Sequence, residues 1–306
     1  IVPAFTWISS ANVVEHLGGK VKFCDIDLNT FNIDPQKLEK CITKKTKVII
    51  VVHLFGLSAN MDEIMKIANK HKLAVIEDAA CGLGSYYKNI HVGNFGISGS
   101  FSFYPVKHIT TAEGGMFTTR HKKLADHVSR LKAFGYDKMV GERVVPGLYD
   151  VDILGYNYRM NELEAALGIQ QLKRINKFLD QRHANDAKLR KAFEDISEIE
   201  LIADGDDVFQ HAHYCLVIVL VGAMAGKRFD FISALRAKGV GVSVYYPGPV
   251  PNLSYYREKY NLNGKDFPNA LRLSEASVAL PVGPHLREED IDYMVNVVKT
   301  SLRELS

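Results

Sequence analysis

Short apolar runs alternate with one-sided helical stretches from Ile1 to about Lys173, and this alternation constrains the fold more than any other feature of the chain. Residues 21–27 (VKFCDID) show period-two alternation, and 48–52 (VIIVV) form a continuous apolar run; both read as strands. Between them, 35–42 reads as a helix with Asp34 as its cap and Pro35 in its first turn. Residues 60–71 place Met61, Ile64, Met65, Ile67 and Ala68 on one helical face. The next strand, 73–76, runs straight into Glu77 and Asp78. Buried strands alternating with helices predict an α/β fold with a mainly parallel sheet, whose ligands bind beyond the carboxyl ends of the strands. Asp78 stands at such an end.

Residues 161–196 contain no proline and only one glycine, Gly168, so one long helical stretch is expected there. It divides the chain into a large domain, 1–175, and a smaller α+β domain, 176–306. The second part reads as a strand near 214–220, a helix at 227–238, a strand at 240–246, a proline-rich loop at 247–251 and a closing amphipathic helix at 288–305.

With 306 residues, the chain is long enough for two domains and a full core without staples. A net charge of +3, with Lys and Arg scattered among Asp and Glu, offers no basic stripe for nucleic acid. Cys24, Cys41, Cys81 and Cys215 show no metal-ligand spacing, which argues against zinc and a disulfide framework and fits a reducing compartment. The longest apolar run, 214–226, is shorter than the roughly 20 residues of a membrane helix. A cytoplasmic protein without membrane contact is expected. The chain opens in mid-strand without an initiator Met, so a true N-terminus is expected further upstream.

Lys107 lies in GSFSFYPVKHITTAEGG, residues 99–115, downstream of Asp78. A lysine in such a mixed loop is usually just solvated. Here it follows a strand-like run, 101–105, and precedes Glu113, Gly114, Gly115 and another strand, 116–119. A strand ending in a carboxylate, paired with a strand leading to a lone lysine, is how an enzyme can hold pyridoxal phosphate (PLP). The carboxylate keeps the pyridine nitrogen protonated, and the lysine amine condenses with the aldehyde.

Residues 3–119 resemble the PLP-dependent nucleotide-sugar aminotransferases of the DegT/DnrJ type, which share fold type I. The resemblance rests on VIEDAA (75–80), FSFYPVK (101–107) and EGG (113–115). VHLFG (52–56), GYNYRM (155–160) and Leu280-Pro281 follow the same order, so it covers essentially the whole chain. It implies Asp78 as the partner of the pyridine nitrogen and Lys107 as the Schiff-base lysine and proton shuttle. Ser102 would donate to the cofactor phosphate, and Trp7 would stack on the ring. Asn157 would reach the phosphate of a neighbouring subunit, making a homodimer with shared sites. His53, Glu113, Tyr245 and Tyr246 are further pocket candidates, although His53 reads equally well as a satisfied buried imidazole. Substrates implied are L-glutamate and a nucleotide-linked keto-deoxysugar.

The chain departs from the family pattern at Cys81, where similar proteins carry Gln or His near the cofactor, and at Tyr245, which replaces a His. Two other readings compete. Dehydratases of this fold carry His at the lysine position or need an iron-sulfur centre, which Lys107 and the scattered cysteines disfavour. A non-catalytic regulatory relative would give no visible band with PLP.

Overall fold

The computed structural model describes residues 1–138 and 140–306. Its larger sheet has four strands in the order β1 (Val48–Val52), β2 (Ala74–Asp78), β3 (Ser98–Ser102) and β4 (Gly115–Thr118). The first three are parallel and β4 runs antiparallel to β3, in register Val52 to Asp78 to Ser100. The expected mainly parallel sheet is therefore present, with Asp78 as the last residue of its strand. Ile1 extends the sheet beyond β1, its nitrogen donating to the Val48 carbonyl at 2.7 Å and its carbonyl accepting from the Ile50 N–H at 2.8 Å.

Helices α1 (Ser9–His16), α2 (Pro35–Cys41) and α3 (Met61–Lys70) belong to this half. The cap at Asp34 forms as expected, its carboxylate accepting from the Gln36 N–H at 2.8 Å, and Asn60 caps α3 in the same way. Met61, Ile64 and Ala68 of α3 join Leu38 of α2 and Ile49, Val51 and Val75 of the sheet in one apolar cluster. Burying each such aliphatic side chain contributes about 1.5–3 kcal/mol.

The smaller sheet has three antiparallel strands, β5 (Ile199–Leu201), β6 (Leu216–Leu220) and β7 (Ser277–Leu280), with β6 central. Every residue of β6 is buried. Helix α4 (Lys122–Leu131) ends the first half, and α5 (Glu162–Leu172) and α6 (Ile175–Phe193) lead into the second. Helices α7 (Arg228–Ala237) and α8 (Glu288–Leu305) pack with α6 over the sheet. A further cluster joins Phe5, Phe23 and Val52 to Val217, Tyr256 and Ala279, so one core runs across both halves of the chain.

Four expectations are corrected. The helical stretch at 161–196 is broken at Lys173–Arg174, where Arg174 adopts φ −108° and ψ 3° and closes one helix before the next. The break needs neither Pro nor Gly, so the sequence carries no signal for it. No continuous strand forms at 240–246; only Ser243 pairs, exchanging backbone hydrogen bonds with Ala279 at the edge of the sheet. At 21–27 only Phe23–Cys24 is a strand, beside Val2–Pro3. Strand β3 stops at Ser102 rather than Pro105: the Phe103 N–H still donates in register to the Gly114 carbonyl at 2.9 Å, but the Phe103 carbonyl accepts from the Thr111 N–H at 3.0 Å and the ladder ends there.

Candidate active site

Side-chain alternation along β2 sends Glu77 and Asp78 to opposite faces. Glu77 is fully buried. Its Oε1 accepts from the Phe95 and Gly96 N–H groups, both at 2.7 Å, and its Oε2 from the Gly93 N–H at 2.6 Å and His53 Nε2 at 3.0 Å. Burial alone would push this carboxyl up, but the His53 hydrogen bond and the backbone donors outweigh it and hold it below the usual range. Because His53 Nδ1 accepts from the Ala59 N–H at 3.1 Å, Nε2 carries the ring proton. His53 is thus a satisfied core imidazole, fully buried and not among the residues lining the large cavity.

Asp78 faces that cavity, whose volume is about 1430 Å³. Its Oδ2 accepts from Ser10 Oγ at 2.7 Å and its Oδ1 from the Ala80 N–H at 3.1 Å. Lys107 lines the same cavity from loop 103–114, which is closed at its neck by the Thr111 N–H to Phe103 carbonyl bond of 3.0 Å. Its Nζ donates to Cys81 Sγ at 3.2 Å and stands 4.7 Å from the centre of the Tyr214 ring. Burial pushes the Cys81 thiol up, against the pull of the Lys107 charge, and burial also raises the Tyr214 phenol. Both partners of the amine are therefore neutral at ordinary pH. Lys107 is steadied by a thiol and a π face instead of being locked to a carboxylate.

The loop behind Lys107 is anchored by two buried groups. Arg182 donates from Nη1 to the Tyr214 carbonyl at 3.0 Å and from Nη2 to the Lys107 carbonyl at 3.5 Å. His108 donates from Nε2 to the Ala212 carbonyl at 2.9 Å. Burial, followed by the Arg182 charge, pushes His108 down to about 3, so it is a neutral anchor.

Cys81, Ser102, Glu113, Trp7, Tyr245 and Tyr246 all line the cavity. Trp7 is 59% exposed, with its ring 5.9 Å from that of Tyr246. Tyr245 and Tyr214 share a hydrogen bond between hydroxyls at 3.3 Å, and Phe55 stacks beneath Tyr245 and Tyr246. Asn157 is exposed and outside the cavity, its Oδ1 accepting from Arg159 Nε at 3.4 Å. Ser10, Tyr214 and Arg182 were not legible in the sequence; no motif marks them, and only the chain path brings them to the site. Elsewhere, Asp186, Asp204 and His213 lie close enough to hold an ion. Arg190 Nε already stands 2.5 Å from Asp186 and 3.0 Å from Asp204, which offsets part of their charge.

The donor set fits PLP. Among the described residues each Asp78 oxygen accepts a single hydrogen bond, which leaves acceptor capacity for a protonated ring nitrogen, and the Lys107 amine has no ionic partner on the same cavity. A parallel sheet with a carboxylate at the end of β2, facing a lysine on the loop after β3, defines a PLP-dependent aminotransferase of fold type I. The chain belongs to the DegT/DnrJ/EryC1/StrS aminotransferase family, whose model matches residues 1–299. It is 36% identical over 304 residues to the spore coat polysaccharide biosynthesis protein SpsC of Bacillus subtilis, covering 98% of this chain and 78% of that protein. GDP-perosamine synthase of Escherichia coli O157:H7 is 33% identical over 295 residues, covering 96% and 76%. Among solved structures, a Streptococcus pneumoniae sugar aminotransferase in its PMP-form superposes with a TM-score of 0.93 at 28% identity, covering 100% of this chain and 82% of that one.

Proposed function

We propose that the enzyme moves an amino group from L-glutamate to a keto group on a nucleotide-linked deoxysugar, supplying an amino sugar for surface polysaccharide. The observation that carries this reading is the presence of Asp78 and Lys107 on one aromatic-walled cavity. Relatives named for GDP-perosamine synthesis and for spore coat polysaccharide support the choice of substrate class.

PLP, when bound, supplies a ring that takes up the electron pair left as a proton leaves the carbon bearing nitrogen. Asp78 would sit against the ring nitrogen and keep it protonated. Lys107 is the residue that would hold the cofactor through Nζ, and its free amine would serve as the base that moves the proton. The neutral Cys81 thiol and Tyr214 ring guide the free amine without quenching it as a base. Ser102 and the partner subunit's copy of the segment around Asn157 receive the phosphate. Trp7 would stack on the cofactor ring, Tyr245 and Tyr246 would present flat apolar faces to the sugar, and Glu113 lines the same cavity.

The enzyme acts in the cytoplasm as a homodimer with shared sites, its cofactor domain being 1–175 and its smaller domain 176–306. Among the described residues no helix is long and apolar enough to cross a membrane. The dimer is supported by apolar residues left in the open on the segment 144–163 that includes Asn157, among them Val144 and Leu154 at 92% and Leu163 at 84% exposure. Sedimentation at micromolar concentration tests it, and a monomer would contradict it. The reaction is tested with a panel of 3-keto and 4-keto sugar nucleotides and glutamate, following 2-oxoglutarate. At least one is expected to sustain release of 2-oxoglutarate beyond one equivalent per site; no turnover beyond that equivalent with any of them would overturn the assignment.

A further inference from the structure

We propose that Ser10 is a positioning residue for the reaction: its hydroxyl, oriented by Thr6, fixes the Asp78 carboxylate in the rotation that faces the ring nitrogen of PLP. The inference deepens the cofactor site above and rests on it. Ser10 Oγ lies 2.7 Å from Asp78 Oδ2 and 3.2 Å from Thr6 Oγ1. An ionised carboxylate can only accept, so the single Ser10 proton goes to Asp78. The bond between the two hydroxyls must then be donated by Thr6, which gives the chain one direction: Thr6 to Ser10 to Asp78.

Both hydroxyls are buried, Thr6 with 2% and Ser10 with 4% of its surface exposed, so bulk water does not stand in for either. The contact spans 68 positions of sequence and ties α1 to the end of β2. The other carboxylate oxygen is held by the Ala80 N–H. Two donors on two different oxygens fix the torsion of the group. Either donor alone would leave the carboxylate free to swing about its remaining hydrogen bond. Pinning it in advance costs nothing at the moment of reaction, which is when a charge held against the ring nitrogen would contribute most.

The test compares Ser10→Ala, Ser10→Thr and Thr6→Val with the parent protein. PLP affinity is measured by absorbance titration, the pH dependence of the bound-cofactor absorbance is recorded, and kcat and KM are determined with glutamate. Loss of a hydrogen bond to a charged group predicts about a tenfold rise in the PLP dissociation constant of Ser10→Ala. The pH at which the absorbance changes should move, and kcat should fall while KM for glutamate stays nearly constant. Ser10→Thr, which keeps the hydroxyl, should restore all three, and Thr6→Val should lose about threefold in affinity. A Ser10→Ala protein with parental affinity and an unmoved pH profile would overturn the inference. So would a loss that reduces only the melting temperature of the PLP-free protein. A parent protein showing no lysine-linked absorbance would overturn the cofactor assignment and this inference with it, so the two failures are distinguishable.

Discussion

Glu77 and Asp78 are adjacent carboxylates with opposite surroundings. Four hydrogen bonds saturate Glu77, whereas Asp78 keeps lone pairs for a ligand. Replacing Glu77 by Gln puts an NH₂ group among N–H donors and breaks a buried charged contact. The expected cost is about 3 kcal/mol, read as a lower urea midpoint. The sign of its pH dependence follows from its lowered folded value. Its contribution is complete above the unfolded value near 4.5 and is lost as pH falls through the lower folded one. A Glu77→Gln midpoint equal to that of the parent at neutral pH would refute this role.

At the scale of elements, β3 can pass beneath loop 93–96 only because residue 99 has no side chain. A Cβ on Gly99 would stand 2.5 Å from Gly93 Cα and 2.8 Å from its carbonyl oxygen. Gly93 is itself tied to Glu77, so neither backbone can retreat cheaply. Gly99→Ala is expected to destabilise the protein by about 2 kcal/mol and to loosen the loop that carries Lys107. Unchanged thermal unfolding would contradict it. The same scale shows what the sequence made legible. Helices with their own signals, such as Asp34 before Pro35 and the one-sided stretch in Met61–Lys70, formed where periodicity put them. So did β1 and β2, whose apolar runs are buried in one sheet. The break at Lys173–Arg174 and the failure of 240–246 to form a strand had no local signal. Both depend on which neighbours the chain meets after folding.

In the whole molecule, burial of His91, His108 and His211 lowers each below the ordinary histidine value, with His108 down to about 3. The native protein resists protonation at these rings while the unfolded chain accepts it below about 6.5. Stability is therefore expected to fall as pH drops below that value, before carboxylates titrate. Melting temperatures recorded between about pH 7 and 5 should decline, and a flat profile would contradict it. His108→Gln should flatten part of that slope. The site was less legible than the fold. Asp78 and Lys107 could be named because each sits at the end of an ordered motif. Ser10, Tyr214 and Arg182 come from distant segments that only the folded molecule brings together. His53, a pocket candidate in the sequence, is spent on Glu77 inside the core.

The most direct measurement is to add PLP, fix it with borohydride, digest the protein and locate the pyridoxyl group by peptide mass spectrometry. The account predicts the label on Lys107, with the Lys107→Ala protein unlabelled. A label on any other lysine, or labelling that survives Lys107→Ala, would contradict it.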